Sequence, residues 1–390
     1  MKIAVVCDSF KGSLTSKDAC AAVKDGLLRC NKNFEVLSLP FADGGEGTSR
    51  CFYDILGGQL RKAAVHDPLL REITAEYTVL PDGIAVIDIA SASGLTLLKS
   101  SERDAVKVSS FGSGELICDA AEHGAKHIIL GLGGSATTDA GTGILYALGM
   151  RFFSEDGVEV LPDGQNMVRV KKIRRTENFE RFKDIKFTLA CDVTNPLCGE
   201  NGAAYVFSPQ KGASKNDVEL LDDGLRNIGE IFEKASGKKI INLPGAGAAG
   251  GIGGGLSAFL NCELQSGFDV LARAASLEDK IRRSDAVITG EGKTDRQTLF
   301  GKLPKRVSDI AEKFGVPCIL LSGDVENDIS AEKLGVCEIH KIKENGISLE
   351  HCMKNAASLL SERAFAIGKD SKIINKQYSR KQEKMRENER

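Results

Sequence analysis

Histidine is scarce in this chain, with five in 390 residues, and all five lie outside its acid- and glycine-rich loops. A Ser-His-Asp relay therefore has no visible basis. Neither a Gly-x-Ser-x-Gly elbow nor a His-Glu-x-x-His pair occurs, which removes two common hydrolase signatures. The 11 cysteines are odd in number, scattered singly and without a Cys-x-x-Cys pair. That spacing argues against a disulfide framework or a zinc site, and the thiols read as small buried hydrophobes in a reducing compartment. A surplus of one charge is lacking too: the formal net charge is −2, which gives no case for nucleic acid or an anionic membrane as partner. No apolar run approaches the roughly 20 residues of a membrane span. The first residues, Met1 to Asp8, read as a strand and lack a signal-peptide layout. A cytoplasmic protein, monomeric or homodimeric, is expected.

What is present is ample core material, 42% apolar residues, in a chain long enough for two domains. Lys2 to Cys7 and Phe34 to Leu39 read as strands around a helix with Ala19, Ala22, Val23 and Leu27 at helical spacing, capped near Thr15 and Asp18. The C-terminal third continues this way. Ala286 to Thr289, Pro317 to Leu321 and Cys337 to Ile342 read as strands. Val307, Ile310, Ala311 and Phe314 stripe a helix, and another is expected around Leu349 to Ala364. Strands alternating with helices predict a doubly wound parallel sheet. The middle reads differently. Ile73 to Leu80 and Ile84 to Ala90 form a hairpin pattern around Pro81-Asp82-Gly83, Ile128 to Leu132 and Phe187 to Cys191 are further strands, and Val218 to Phe232 is an amphipathic helix. The expectation is an α/β protein with a discontinuous domain, 1–64 plus 281–368, interrupted by an inserted mixed α/β domain, 65–280. A charged end, 369–390, reads as frayed helix or disorder.

Chemistry concentrates in loops that follow strands. Pro40-Phe41-Ala42-Asp43-Gly44-Gly45-Glu46-Gly47-Thr48 sets two carboxylates among three glycines. Glycines let a backbone approach a ligand, and carboxylates hold metals or take protons; a tight turn with solvated acids fits the same residues. Thr289-Gly290-Glu291-Gly292-Lys293-Thr294-Asp295-Arg296 repeats the pattern, with Lys302 behind it. Asp8-Ser9-Phe10-Lys11-Gly12-Ser13 suits phosphate at a helix start, without Walker A spacing. Ala190-Cys191-Asp192-Val193-Thr194-Asn195-Pro196 gathers hard oxygen ligands, or forms an Asx turn. Gly131-x-Gly133-x-x-Ala136, with Glu155 beyond it, formally matches a dinucleotide fingerprint and opens an NAD-dependent dehydrogenase alternative. Its neighbours Ser135, Thr137, Thr138 and Asp139 suit a phosphate or hydroxyl loop instead. The run from Pro244 to Gly255 implies close backbone approach or a hinge. Acids, lysines and glycine loops together suit phosphoryl transfer, where positioning and charge neutralisation carry the catalysis. A non-catalytic hydroxy-acid-binding protein is the other alternative.

Taken in order, these segments resemble the glycerate kinase family. The matching stretches are Asp8 to Leu14, Ala42 to Thr48, Ala92 to Leu95, Gly112 to Ile117, Gly133 to Thr137, Ala190 to Leu197, Gly202 to Ala204, Phe207 to Ala213, Pro244 to Gly251, Ile288 to Gly292, and Gly301-Lys302. Departures are small: Cys7 stands where the family usually has Pro, Asp88 where Glu is usual, Ala140 where Gly is usual, and Thr138 for a common Asn. The resemblance implies a flavodoxin-like domain and an inserted restriction-enzyme-like domain with a cleft between them. It also implies ATP, Mg²⁺ and D-glycerate, with 2-phosphoglycerate as product and the 3-phosphate as the alternative. Site expectations follow. Asp192, Lys11, Asp43 and Glu291 are catalytic candidates, and Ser9, Asn195, Lys211, Asp295 and Lys302 are substrate-binding candidates. Gly133, Gly134, Ser135, Thr137, Gly245 and Gly247 are candidates for the nucleotide, and Asp43, Glu46 and Asp139 for the metal.

Overall fold

The computed structural model describes residues 1–42, 44–344 and 346–379. In chain order its strands are β1 (Lys2–Cys7), β2 (Glu35–Pro40), β3 (Gln59–His66), β4 (Glu72–Leu80), β5 (Ile84–Asp88), β6 (His127–Gly131), β7 (Met150–Phe153), β8 (Lys172–Arg175), β9 (Lys186–Ala190), β10 (Asn261–Gln265), β11 (Ala286–Thr294), β12 (Cys318–Val325) and β13 (Glu338–Lys341). The chain forms two units, Met1–Asp43 with Leu271–Arg390, and Gly44–Val270. It passes from one to the other earlier than the expected positions 64/65 and 280/281. For the first passage the reason is that helix Thr48–Leu56 packs on β4 and β5, and β3 pairs with β4.

The first unit is built on a wholly parallel sheet in the order β13-β12-β11-β1-β2. Numbered within this sheet alone, that is 2-1-3-4-5, the flavodoxin-like order. Central strands of such sheets are covered on both faces and read as continuous apolar runs. Ile3, Ala4, Val5 and Val6 of β1, and Ile319, Leu320 and Leu321 of β12, are fully buried accordingly. Helix Ser16–Cys30 starts where Thr15 Oγ1 accepts the Asp18 N–H at 3.1 Å. It lies close against helix Ala356–Asp370, because a side chain at Gly26 would put its Cβ 2.0 Å from the Ser361 carbonyl oxygen. The helix expected around Leu349 to Ala364 is two, Leu349–Lys354 and Ala356–Asp370. Of the end expected from residue 369 as frayed helix or disorder, residues 372–379 are helical. Ile374 there is fully buried, and Tyr378 meets Phe34 edge-on with ring centroids 5.9 Å apart. Residues 380–390 lie outside the described ones.

The second unit carries a six-stranded mixed sheet, β10-β9-β6-β5-β4-β3. Four neighbouring strands, β10, β9, β6 and β5, are parallel; β4 runs antiparallel to β5, and β3 antiparallel to β4. The expected hairpin is there, with Leu80 opposite Ile84. Ile87, Ile128, Leu130, Phe187 and Leu189 pack its buried core. The amphipathic helix runs over Lys215–Ser236, opened by a Ser214/Asp217 capping box and closed by Gly237 in the left-handed conformation. A β7–β8 ribbon stands apart from the sheet. Among the described residues no helix is long and apolar enough to cross a membrane.

Candidate active site

In the first unit, Asp8 to Lys11 leaves the carboxyl end of β1, and Glu291 to Lys302 comprises the last residues of the neighbouring strand β11 and the chain that follows it. The Asp8 N–H donates to the Gly290 carbonyl oxygen at 2.9 Å. The two segments run close together: a Cβ at Gly292 would lie 3.1 Å from Phe10 Cα. Glu291 is buried, and Thr298 Oγ1 donates to its Oε1 at 2.7 Å. Burial pushes the Glu291 carboxyl up to about 7; the Thr298 and Thr294 hydroxyls and Lys302 oppose the rise, and the Asp8 charge adds to it. Lys302 Nζ also lies 3.4 Å from Asp295 Oδ1. The Ser9 N–H donates to Asp8 Oδ1 at 2.6 Å, and Lys11 is exposed beside it. Of the sequence-predicted residues, Ser9, Lys11, Glu291, Asp295 and Lys302 are thus brought to one sheet edge. Asp8 joins them and was missed as a site residue. Its signal was its place directly after a strand on a conspicuous loop.

In the second unit, β5, β6 and β9 end in register, Asp88 beside Gly131 and Gly131 beside Ala190. Their loops share one edge. Gly44 to Gly47 packs here, with the Gly133 N–H donating to the Gly44 carbonyl oxygen at 3.2 Å and a Cβ at Gly133 falling 2.5 Å from Gly45 Cα. β2 and β11 do leave the same edge of the first sheet, but from Gly44 onward the chain belongs to the second unit. Asp88 holds this loop. Its two oxygens accept the N–H groups of Gly47 and Ser49, each at 2.9 Å, at the start of helix Thr48–Leu56. Burial nevertheless raises its carboxyl to about 7.

Lys211 is 3% exposed. Its Nζ donates to Ser135 Oγ at 2.9 Å and to the Thr137 carbonyl oxygen at 2.6 Å. Burial lowers its ammonium to about 7, against the pull of Asp139. Thr137 Oγ1 is buried with no hydrogen-bond partner among the described residues. Asp139 is fully buried and accepts from Ser110 N–H, Ser110 Oγ, Gly141 N–H and Gly143 N–H at 2.9, 2.7, 3.0 and 3.4 Å. Burial raises its carboxyl as well. Mg²⁺ needs carboxylate oxygens it can approach. Asp139 does not fit, since both oxygens are engaged by the chain's own donors. Glu46 fits as a single carboxylate, exposed, with its Cβ near Gly134. Asp43 lies outside the described residues. Among the described residues no cluster of three or more His, Cys, Asp or Glu is placed to hold a metal.

The glycines of the 245–255 run are explained by the chain itself. Gly245 would put a Cβ 3.3 Å from the Val193 carbonyl oxygen, and Gly247 one 2.3 Å from that of Pro196. The Gly247 N–H donates to the Asn195 carbonyl oxygen at 3.0 Å. Further on, a Cβ at Gly250 would fall 2.1 Å from the Thr137 carbonyl oxygen, and one at Gly255 would fall 1.9 Å from that of Ala140. The run is a strap gripping two site loops, 137–140 and 191–196. Asp192 is exposed on the second, and Asn195 Nδ2 donates to the Asn201 carbonyl oxygen at 2.8 Å. The dinucleotide fingerprint lacks its context. No helix opens within Gly131-x-Gly133-x-x-Ala136; the next begins at Thr142, and Glu155 is exposed.

Buried acids of raised proton affinity and lysines, gathered on loops at parallel-sheet edges, are the acid–base and anion-handling groups expected of an α/β enzyme. A sequence model of the glycerate kinase family matches residues 3–372. The chain is 38% identical to the glycerate kinase of Halalkalibacterium halodurans, covering 93% of this chain and 96% of that one. It is 40% identical to the glycerate 2-kinase of Escherichia coli, covering 84% and 87%. A crystal structure of a protein assigned as glycerate kinase 2 from Salmonella typhimurium LT2 superposes with a TM-score of 0.83 at 35% identity, over 95% of this chain and 97% of that one. The chain belongs to the glycerate kinase family, and it is a kinase.

Proposed function

We propose that the protein transfers the γ-phosphoryl group of ATP to the 2-hydroxyl of D-glycerate. Family membership supports glycerate as acceptor, and the relative in E. coli carries the 2-position in its name. The observation that carries the chemistry is Glu291: a carboxyl held near neutrality by burial, within the influence of Lys302. A carboxyl of that proton affinity marks a sheet edge equipped for proton handling at working pH. Lys11 and Lys302 offset the negative charge of phosphate or carboxylate, the main task in phosphoryl transfer. Lys211 acts by holding Ser135 and Thr137 in place, and the Thr137 hydroxyl is left to donate to a bound anion. When bound, Mg²⁺ neutralises phosphate charge, with Glu46 as the side chain that would help hold it.

The test is an assay with ATP, Mg²⁺ and D-glycerate, coupled to enolase without phosphoglycerate mutase. Formation of phosphoenolpyruvate is the expected result, because enolase accepts the 2-phosphate. ADP release without that product would assign the 3-phosphate instead. No glycerate-dependent ADP release would defeat the proposal.

A further inference from the structure

In a 2-1-3-4-5 sheet the strand order reverses between the first and third strands, here β1 and β11. Ligands of such sheets bind beyond the carboxyl ends of the strands at that point. Two carboxylates stand there. Cys7 pairs with Gly290, so Asp8 and Glu291 are the next residues along neighbouring strands roughly 4.8 Å apart. Their environments differ. Glu291 is closed in, with the Thr298 and Thr294 hydroxyls on it. Asp8 is half-buried, accepts the Ser9 N–H, and has Lys11 and Lys302 acting on it. Asp295 is the other acid nearby and is paired with Lys302.

Building on the phosphoryl-transfer reading, we propose that Asp8 and Glu291 form one catalytic carboxylate pair in which Asp8 takes the proton of the acceptor hydroxyl. The acceptor O–H bond breaks and its proton goes to the Asp8 carboxylate. The acceptor oxygen forms a bond to the γ-phosphorus. The bond from that phosphorus to the β–γ bridging oxygen breaks, and its electron pair leaves with ADP. Asp8 then returns the proton to solvent. The division of roles follows from electrostatics. Asp8 and Glu291 lie side by side at this edge and the Asp8 charge acts on Glu291; two such acids resist double ionisation, so one proton stays with the pair. It stays on Glu291, the more enclosed member, while the Ser9 N–H and the two lysines hold the charge on Asp8. Burial raises the Asp8 carboxyl above its ordinary range, which strengthens it as a base.

The experiment compares wild type, Asp8→Asn, Asp8→Glu and Glu291→Gln in the full chain by kcat, KM and pH profile. Asp8→Asn should lower kcat by about 10²–10⁴-fold with KM for ATP changed little. Asp8→Glu, which restores a carboxylate, should recover about tenfold or more of that loss. Wild-type kcat in Asp8→Asn, or equal losses in both Asp8 variants, would overturn the proposal. Should Asp8→Asn fail to fold, the carboxyl ¹³C resonances of the wild type decide. A pair shows two linked titration steps on both residues, and Glu291→Gln leaves a single step on Asp8. Independent single-step titrations of the two residues would refute the pair. If the wild type shows no glycerate-dependent ATP turnover, the substrate assignment fails, and the pair stands or falls on that titration.

Discussion

Lys211 donates to the carbonyl oxygen of Thr137 at 2.6 Å from a fully enclosed position. This places the ammonium where water cannot repay its lost hydration. Because its folded proton affinity lies below the unfolded one, its contribution is largest above about pH 10.5 and is lost as pH falls towards about 7. Lys211→Met should lack that slope when denaturant midpoints are compared across this window. It should also leave two acceptors unmatched, costing about 1–3 kcal/mol where the ammonium is neutral. A slope equal to wild type would mean that Lys211 is hydrated in solution.

Glu291 carries the opposite sign. Its folded carboxyl is raised from 4.5 to about 7, so its stabilising contribution is complete below about pH 4.5 and is lost as pH rises through 7. Glu291→Gln should therefore gain on the wild type by roughly 3 kcal/mol between those limits, read as a growing difference in unfolding free energy. Activity should fall in the same variant. A variant less stable than wild type at pH 8 would show that the ionised carboxylate is well accommodated.

Asp139 is a brace in the structure, and the variant Asp139→Asn tests this. Four donors converge on its carboxylate, and an amide cannot accept from all of them. The expected loss is about 2–3 kcal/mol of stability, seen by thermal or chemical denaturation without Mg²⁺. Unchanged stability together with a raised Mg²⁺ requirement would instead restore the metal role read from the sequence.

Gly250 has φ +69° and faces the Thr137 carbonyl oxygen. Alanine there must take a left-handed conformation and displace the 137–138 backbone. Together these should cost more than about 3 kcal/mol, and kcat should drop because the displaced segment is the one Lys211 holds. Wild-type stability in Gly250→Ala would show that the strap is slack.

Ala140 is fully buried at φ +52°, a backbone region that favours glycine. Three effects compete in Ala140→Gly: relief of about 1–2 kcal/mol of strain, an unfolded-state entropy loss of about 0.4–1 kcal/mol, and a lost methyl contact of about 0.8 kcal/mol. They nearly cancel, so the change should stay within about 1 kcal/mol, which explains why alanine is tolerated. Ala140→Val should lose far more, because a β-branched side chain resists positive φ. Equal stabilities for the two variants would contradict this balance.

The strands of the first sheet were legible because buried parallel strands read as unbroken apolar runs, as in Ile3 to Val6. The Thr15 cap and the hairpin at Pro81-Asp82-Gly83 were legible because their signals are local. The passage between units was not, because the helix after Gly47 looks like one more βα repeat and its packing on β4 is a long-range fact. Asp88 was invisible as the holder of Gly47 for the same reason: 41 residues separate them. The glycines from 245 to 255 read as ligand-facing because composition cannot tell which backbone comes close, and here it is the chain's own. Ile374 and Tyr378 were overlooked in a charged neighbourhood, although their spacing of four puts both on one helix face.

The central place of β1 has a consequence for synthesis. Its neighbour β2 is made at once, but its other neighbour, β11, begins at residue 286. At about 5–20 residues per second, β1 waits on the order of tens of seconds with one edge unpaired. An apolar strand edge exposed that long invites pairing with other chains. A nascent-chain chaperone that shields the first forty residues should therefore raise the yield of native protein more than one acting after release.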